Sequence, residues 1–201
     1  MTSPLSKRLF DLAFVTAAAP LCAPILIGAL CAVYLESGRP LFFSQDRMGL
    51  NGRRFRIWKI RTMRRDQTAP TDLLFPGWTQ QGDPRVTAVG RILRRFRIDE
   101  LPQFWNVLIG DMSIVGPRPE PWEVATALAS EIDGYLERQG VRPGLTGACQ
   151  VSPVYADFGT IEKSRRKLAY DLEYVRNWSL GLDLAILVKS VPVVVRGGGV
   201  A

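Results

Sequence analysis

The sequence predicts a mixed α/β chain, mainly helical: a small globular cytosolic domain preceded by an N-terminal re-entrant membrane segment of helix-break-helix form and edged by interfacial amphipathic helices. Three observations predict it. An apolar run, "LAFVTAAAPLCAPILIGALCAVYL" at 12–35, is interrupted near its centre by Pro20 and Pro24. Two strand-like runs flank an Asn51-Gly52 turn. Helical spacing of side chains recurs through 86–98, 101–108 and 161–178. A chain of 201 residues has material for one domain with a substantial core, and the pattern divides it into an anchoring segment, 1–38, and a body, 39–201.

The apolar run holds about 24 uncharged positions, enough for a straight helix to span a hydrocarbon core of about 30 Å. Pro20 and Pro24 each remove a backbone donor and clash with the preceding turn. The arms on either side, Leu9 to Ala19 and Ile25 to Leu35, would each reach about 16 Å, half a bilayer. Lys7 and Arg8 precede the run while Arg39, Arg47, Arg53 and Arg54 follow it, so the positive-inside rule draws both ends to the cytoplasm. A re-entrant hairpin satisfies both ends; a Pro-kinked spanning helix, the alternative, satisfies one. A cleaved signal peptide fits worse, because the run exceeds the usual 7 to 15 or so apolar residues and no secreted-type cysteine pattern follows.

Downstream, Leu41 to Ser44 and Phe55 to Ile60 read as a hairpin around the Asn51-Gly52 turn. Residues 66–84, rich in Pro, Gly, Asp and Thr, read as a surface loop. "RVTAVGRILRRFRI" sets Val89, Ile92, Leu93 and Phe96 at helical spacing among Arg91, Arg94, Arg95 and Arg97, a basic amphipathic helix suited to a headgroup layer. The next helix begins at Asp99 and Glu100, with Leu101, Phe104, Trp105 and Leu108 on one face. Pro119 and Pro121 lead into the helix "WEVATALASEIDGYLER", and 140–159 is a Gly/Pro-punctuated loop. The helix "IEKSRRKLAYDLEYVRNW" places Lys167, Asp171 and Tyr174 on one face. The tail "LGLDLAILVKSVPVVV" carries Asp183 and Lys189, so it lies along the membrane or packs on the core rather than crossing.

Composition narrows the chemistry. A net charge of +7 and a pI near 9.7 imply polyanionic company: acidic lipid headgroups, phosphorylated small molecules or nucleic acid. The absence of histidine excludes His-based triads, imidazole acid/base catalysis and His-containing zinc sites. Cys22, Cys31 and Cys149 have neither disulfide-framework nor metal-ligand spacing and fit a reducing, cytosol-facing compartment. Cys149 as a nucleophile would have no histidine to activate it.

The polar candidates each have two readings. Asp99 and Glu100 at a helix start are an ordinary cap; beside Arg95 and Arg97 and at the positive end of the helix dipole, Asp99 is also a carboxylate kept ionised at neutral pH, able to serve as nucleophile or Mg²⁺ ligand without a general base. The Gly-Pro-Arg-Pro loop at 116–119 offers Arg118 to a phosphate or simply to solvent. Lys59 and Arg61 in "WKIRTM" share a strand face, and Arg142 sits in the Pro/Gly-shaped "VRPGLTG". Two carboxylates, several loop-mounted cations and a membrane dip together suit a phosphate-rich, lipid-linked substrate. A catalytically silent alternative is a membrane-anchored scaffold that binds anionic lipid or nucleic acid through the basic helix, needing its arginines but not Asp99 or Glu100.

Over nearly its whole length the chain resembles the bacterial sugar transferase family, the monotopic phosphoglycosyl transferases. The resemblance is carried by "KRLFDL" at 7–12, "DRMGLNGRRFRIWKIRTM" at 46–63, "DELPQFWNVLIGDMSIVGPRPE" at 99–120, "VRPGLTG" at 141–147 and "DLEYVRNWSLGLDLAIL" at 171–187. The length is similar to the family's minimal short form, without an extra membrane bundle. The resemblance implies transfer of a sugar 1-phosphate from a UDP-sugar to undecaprenyl phosphate with release of UMP, Mg²⁺ as cofactor, and a place at the first membrane step of glycoconjugate biosynthesis. It implies Asp99 as nucleophile and metal ligand, a covalent phosphosugar intermediate, and Glu100 assisting through the metal or a proton. Lys59, Arg61, Arg97, Arg118, Arg142 and Asp171 become candidates for phosphate, nucleotide or supporting contacts, and Pro20 and Pro24 the membrane break. The expected location is the bacterial inner membrane, monotopic, with the active site on the cytoplasmic face; the expected partners are membrane lipid and a second copy of the chain in a homodimer, with no nucleic acid. One stretch departs from the family pattern: after "RPGLTG" the family continues Trp-Ala-Gln-Val and an Asn-Gly-Arg segment, whereas this chain reads "ACQVSPVYADFG". That departure leaves the donor sugar open.

Overall fold

The computed structural model describes residues 4–64, 82–153 and 160–196. The expected surface loop at 66–84 falls mostly outside them, as does the end of the 140–159 loop. The architecture is mixed α/β and mostly helical. A single long helix, α1 (Leu5–Ser37), comes first. It is followed by the hairpin β1 (Phe42–Met48) and β2 (Arg54–Ile60), then α2 (Ala88–Arg95), α3 (Gln103–Ile109), β3 (Ser113–Val115), α4 (Trp122–Glu131), β4 (Gly144–Thr146), α5 (Ile161–Arg176) and α6 (Leu180–Val195).

Helix α1 is long and apolar enough to cross a membrane. It runs through Pro20 and Pro24 as one continuous helix, so the expected break in secondary structure is absent. The two prolines each forfeit a backbone donor, but the surrounding i to i−4 bonds carry the helix past them. Burial along α1 is confined to its ends: Lys7, Asp11 and Val15 near the start and Ala29 and Val33 near the finish. Both ends touch the same small body, through α3 and β3 at one end and α2 and β2 at the other.

The hairpin forms as the turn signal predicts, in antiparallel register from Phe42 opposite Ile60 to Met48 opposite Arg54, with Asn51 left-handed (φ 54°) in the turn. The outer edge of β2 is closed by a side chain: Asn106 of α3 accepts from the Trp58 N–H (3.3 Å) and donates to the Arg56 carbonyl (2.8 Å), taking the place of a third strand. A second sheet pairs β3 with β4 in parallel, Ser113 opposite Gly144 and Val115 opposite Thr146. Gly116 packs backbone against backbone there; a Cβ would collide with the Arg142 carbonyl.

The helix expected to begin at Asp99 and Glu100 begins later. Those residues occupy a 3-10 turn, Ile98–Glu100, and α3 starts at Gln103. The helix expected across 122–138 ends at Glu131, with Gly134 left-handed before a 3-10 segment, Tyr135–Gly140. In α6, Asp183 is fully buried and faces the body, not a membrane surface.

Three apolar clusters hold these pieces together. The central one joins Val15 of α1, Ile57 of β2, Val107, Ile114, Tyr174 and Ile186. A second packs α4 against Met48 and Leu168, and a third sets the end of α1 (Ala29, Val33) against Ile60 and Leu93. Each such side chain contributes about 1.5–3 kcal/mol of burial, so α1 is fastened to the body by the same force that folds it.

Candidate active site

The carboxylate turn is set by its neighbours on both sides. Thr87 caps α2, its hydroxyl accepting from the Gly90 N–H (2.9 Å). Past the last turn of α2, Arg97 adopts a left-handed conformation (φ 55°, ψ 23°) that reverses the chain. Such a conformation is costly for a residue with a Cβ and persists where packing dictates it. The reversal swings Ile98–Glu100 beneath β2, and Asp99 and Glu100 end 6% and 8% exposed. Neither side chain caps α3, so the ordinary-cap reading does not describe them.

Glu100 is held by three cations. Lys59 Nζ lies 2.8 Å from Oε1; Arg118 contacts the same oxygen through Nη2 and reaches Oε2 through Nη1 at 3.2 Å; Arg97 Nη1 is 3.8 Å from Oε2. Burial pushes the Glu100 carboxyl up, but Arg118, Lys59 and Arg97 outweigh it and hold the group well below the usual carboxylate range. Asp99 has neither a hydrogen bond nor an ion pair within 4 Å among the described residues. Burial raises its pKa to about 6, with the Glu100 charge adding to the rise and Lys59, Arg94 and Arg118 opposing it. Asp99 was expected to be kept ionised at neutral pH by arginines and a helix dipole; desolvation instead raises its pKa, yet at about 6 the carboxyl still lies below neutrality, and the first α-turn lies beyond it.

The Gly-Pro-Arg-Pro loop is built as a bracket for Arg118. The β3–β4 pair delivers it, and two buried or half-buried arginines clamp its carbonyls: Arg47 Nη1 donates to Pro119 O (2.8 Å) and Arg138 Nη2 to Arg118 O (2.8 Å). Arg138 is held in turn by Asp171, Nε to Oδ2 at 2.9 Å and Nη2 to Oδ2 at 2.7 Å, and it donates to the Tyr135 hydroxyl (2.9 Å). Asp171 therefore reaches the site through Arg138 and the Arg118 backbone.

Of the residues expected at the site, Lys59, Arg97, Arg118, Asp99 and Glu100 come together and Asp171 stands one layer behind. Arg61 and Arg142 are engaged elsewhere. Arg61 Nη2 donates to Ser37 O, Ser37 Oγ and Gly38 O (2.8–2.9 Å), capping the carboxyl end of α1. Arg142 Nε donates to Gly110 O (2.8 Å) at the end of α3, beside Arg8, which donates to the Val107 and Leu108 carbonyls. Sequence reasoning assigned no site role to Arg138, or to Arg47 although it lies in the 46–63 stretch, or to the buried cluster in which Lys7 (2.7 Å), Tyr174 (2.7 Å) and Trp178 (3.1 Å) all donate to Asp183. Cys149 is buried and burial pushes its thiol up to about 12, far from a reactive thiolate.

Among the described residues no cluster of three or more metal-ligating side chains exists. Of the two carboxylates Glu100 is taken up by its three cations, which leaves Asp99 as the one that could reach a Mg²⁺ ion held chiefly by substrate phosphates and water.

Comparison with known sequences adds an independent line. The family model described as bacterial sugar transferase matches residues 2–197. A UDP-glucose:undecaprenyl-phosphate glucose-1-phosphate transferase of Caulobacter vibrioides is 44% identical over 94% of this chain and 69% of its own length. A UDP-N-acetylgalactosamine-undecaprenyl-phosphate N-acetylgalactosaminephosphotransferase of Aeromonas hydrophila is 40% identical over 96% of this chain, which spans 44% of that relative. An exopolysaccharide production protein PSS of Rhizobium leguminosarum bv. phaseoli is 37% identical over 92% of both chains.

Proposed function

The chain belongs to the bacterial sugar transferase family, and from that premise we propose that it moves a sugar 1-phosphate from a UDP-sugar to undecaprenyl phosphate, releasing UMP, through a covalent intermediate on Asp99. The observation that carries this reading is the asymmetry of the two carboxylates: Glu100 is saturated by three cations, while Asp99, equally buried, makes no hydrogen bond or ion pair among the described residues.

In the first step a carboxylate oxygen of Asp99 bonds to the sugar-bearing phosphorus and the bond from that phosphorus to the UMP oxygen breaks. In the second, a phosphate oxygen of the lipid bonds to the same phosphorus and the Asp99 acyl phosphate bond breaks, restoring the carboxylate. Neither step requires a general base, which suits a chain without histidine. Arg118 and Lys59 place positive charge beside the turn where charge moves onto the departing UMP. Glu100 acts by holding those cations in place. Mg²⁺ would be held by Asp99, the carboxylate of the two without a cation partner among the described residues, and when bound would offset diphosphate charge.

The membrane seat is part of the proposal: residues 1–38 as anchor, 39–201 as the catalytic body on the cytoplasmic face. Burial at both ends of α1 and exposure of its middle, where the prolines lie, support a helix that dips and returns. Ile92 of α2, Trp105 and Ile109 of α3, and Leu184, Val188 and Val191 of α6 are exposed large apolar side chains suited to lying at the interface.

The test is isotope exchange. Full-length protein in detergent or nanodiscs, with Mg²⁺ and a panel beginning with UDP-glucose and UDP-N-acetylgalactosamine, should move labelled UMP into the UDP-sugar without lipid. Mass spectrometry should find a phosphosugar adduct on Asp99, and Asp99→Asn should abolish both. Turnover with no exchange and no adduct would mean direct displacement instead.

A further inference from the structure

A cavity of about 240 Å³ opens beside the carboxylate turn. Its apolar walls include Phe14 of α1, the element proposed to enter the membrane, Phe104 of α3, and Leu187 and Val194 of α6. Its charged lining is limited to Glu100 and Arg97. Lys59, Arg94 and Arg118, the other cations acting on the two carboxylates, are not among the lining residues. We propose that this cavity receives the phosphate-proximal end of a polyprenyl phosphate, its first isoprene units between α1 and α6 and its phosphate toward Arg97. The proposal rests on the reading of the chain as an enzyme with a polyprenyl phosphate acceptor and adds where that acceptor enters.

Three features select this occupant. The first is lining: a nucleoside diphosphate carries its anionic groups along a polar body and needs several cations, whereas a monophosphate on a hydrocarbon tail needs a long apolar wall with one charged end, and here that end is Arg97 beside Glu100 and the wall is the four named side chains. The second is continuity, because Phe14 lies on the apolar α1 and Leu187 and Val194 on the helix whose outer face exposes Val188 and Val191, so a chain dissolved in lipid meets this wall without crossing water. The third is size. A dry apolar cavity of about 150 Å³ takes a benzene ring, six carbons; in proportion this one takes about ten, or two isoprene units, and leaves the remainder of the tail in the bilayer.

Photolabelling tests it independently of turnover. Full-length protein in nanodiscs is irradiated with geranyl phosphate carrying a diazirine on its second unit, and adducts are mapped by mass spectrometry. The expected labels fall in 101–104 and 187–194, and excess undecaprenyl phosphate suppresses them about tenfold or more, while UMP does not. Val194→Trp, which fills the cavity, should lower the yield severalfold; if that variant fails to fold, Leu187→Ser, which makes the wall polar, should do the same. Arg97→Gln should erase the advantage of geranyl phosphate over geraniol. Labels confined to 21–27 of α1, suppression by UMP, or equal suppression by a phosphatidate would each overturn the assignment, the last two in favour of the nucleotide or an ordinary phospholipid. Transfer assays on the same samples separate the two readings: transfer without cavity labelling removes this inference alone, and cavity labelling without transfer leaves the site standing and removes the proposed reaction.

Discussion

Asp99 and Glu100 are adjacent in sequence, equally buried and electrostatically opposite. Glu100 is surrounded by Lys59, Arg97 and Arg118, which hold its carboxyl well below the usual carboxylate range; Asp99 stands without a direct partner among the described residues, its pKa raised to about 6. One carboxylate fixes the cations; on the proposed mechanism the other is the nucleophile.

The first consequence is a pH limb. If Asp99 attacks as its anion, the donor half-reaction should fall as pH drops through about 6, to about a tenth of its plateau one pH unit below. Removing the neighbouring negative charge with Glu100→Gln should move this limb to lower pH while lowering the plateau. A rate for UMP exchange that is flat from pH 5 to 8 would contradict the assignment.

The same shift has a stability consequence of opposite sign to the usual carboxylate. The native state keeps its Asp99 proton up to about pH 6 and the unfolded chain loses it near 3.8, so the native state binds more protons in that window and stability falls as pH rises through it. Asp99→Asn should therefore be inactive yet more stable at pH 7, by on the order of 2 kcal/mol or several degrees in Tm. The gain should vanish below about pH 4, where both forms are neutral; thermal unfolding at pH 4 and pH 7 reads the difference.

Arg138 is expected to matter for position as well as stability. Breaking its buried pair with Asp171→Leu or Arg138→Met should cost about 3–5 kcal/mol each, and the double variant should recover much of that. Donor KM should not recover with it, because the double variant still lacks the hydrogen bond that fixes the Arg118 carbonyl. Urea unfolding and donor KM, measured on all three, separate the two contributions.

Lys7 and Asp183 tie the first helix to the last through a fully buried ion pair. Lys7→Met leaves the Asp183 charge with only the Tyr174 and Trp178 donors, and should destabilise by about 3–5 kcal/mol and expose the start of α1 to protease. In a double-mutant cycle with Asp183→Leu the coupling should exceed about 1 kcal/mol; additive effects would show that the contact is structurally present and energetically idle.

Much of the site was legible in the sequence, and the parts that were not share a physical cause. The hairpin and the basic helix follow from turn chemistry and local spacing, and the grouping of the carboxylates with Lys59, Arg97 and Arg118 from the family resemblance. Arg61 and Arg142 have the same local signature as Lys59, Arg97 and Arg118, yet their guanidinium groups stabilise the carbonyl ends of α1 and α3, a choice made by tertiary packing. The β3–β4 pair escaped because strands of three residues show no period and their partners lie far apart in sequence. The sequence left the tail carrying Asp183 either along the membrane or packed on the core; the partners that bury Asp183 come from α1 and α5, which no local window contains.

Arg61 lies two residues beyond Lys59, and its grip on Ser37 and Gly38 fastens the far end of α1 to the strand that serves the carboxylates. On the proposed bilayer seat, that short linkage works as a depth stop: the height of Asp99 above the hydrocarbon is set by how far α1 sinks. A thinner or thicker bilayer would raise or lower the reaction centre as a unit, without prying the helix away from it.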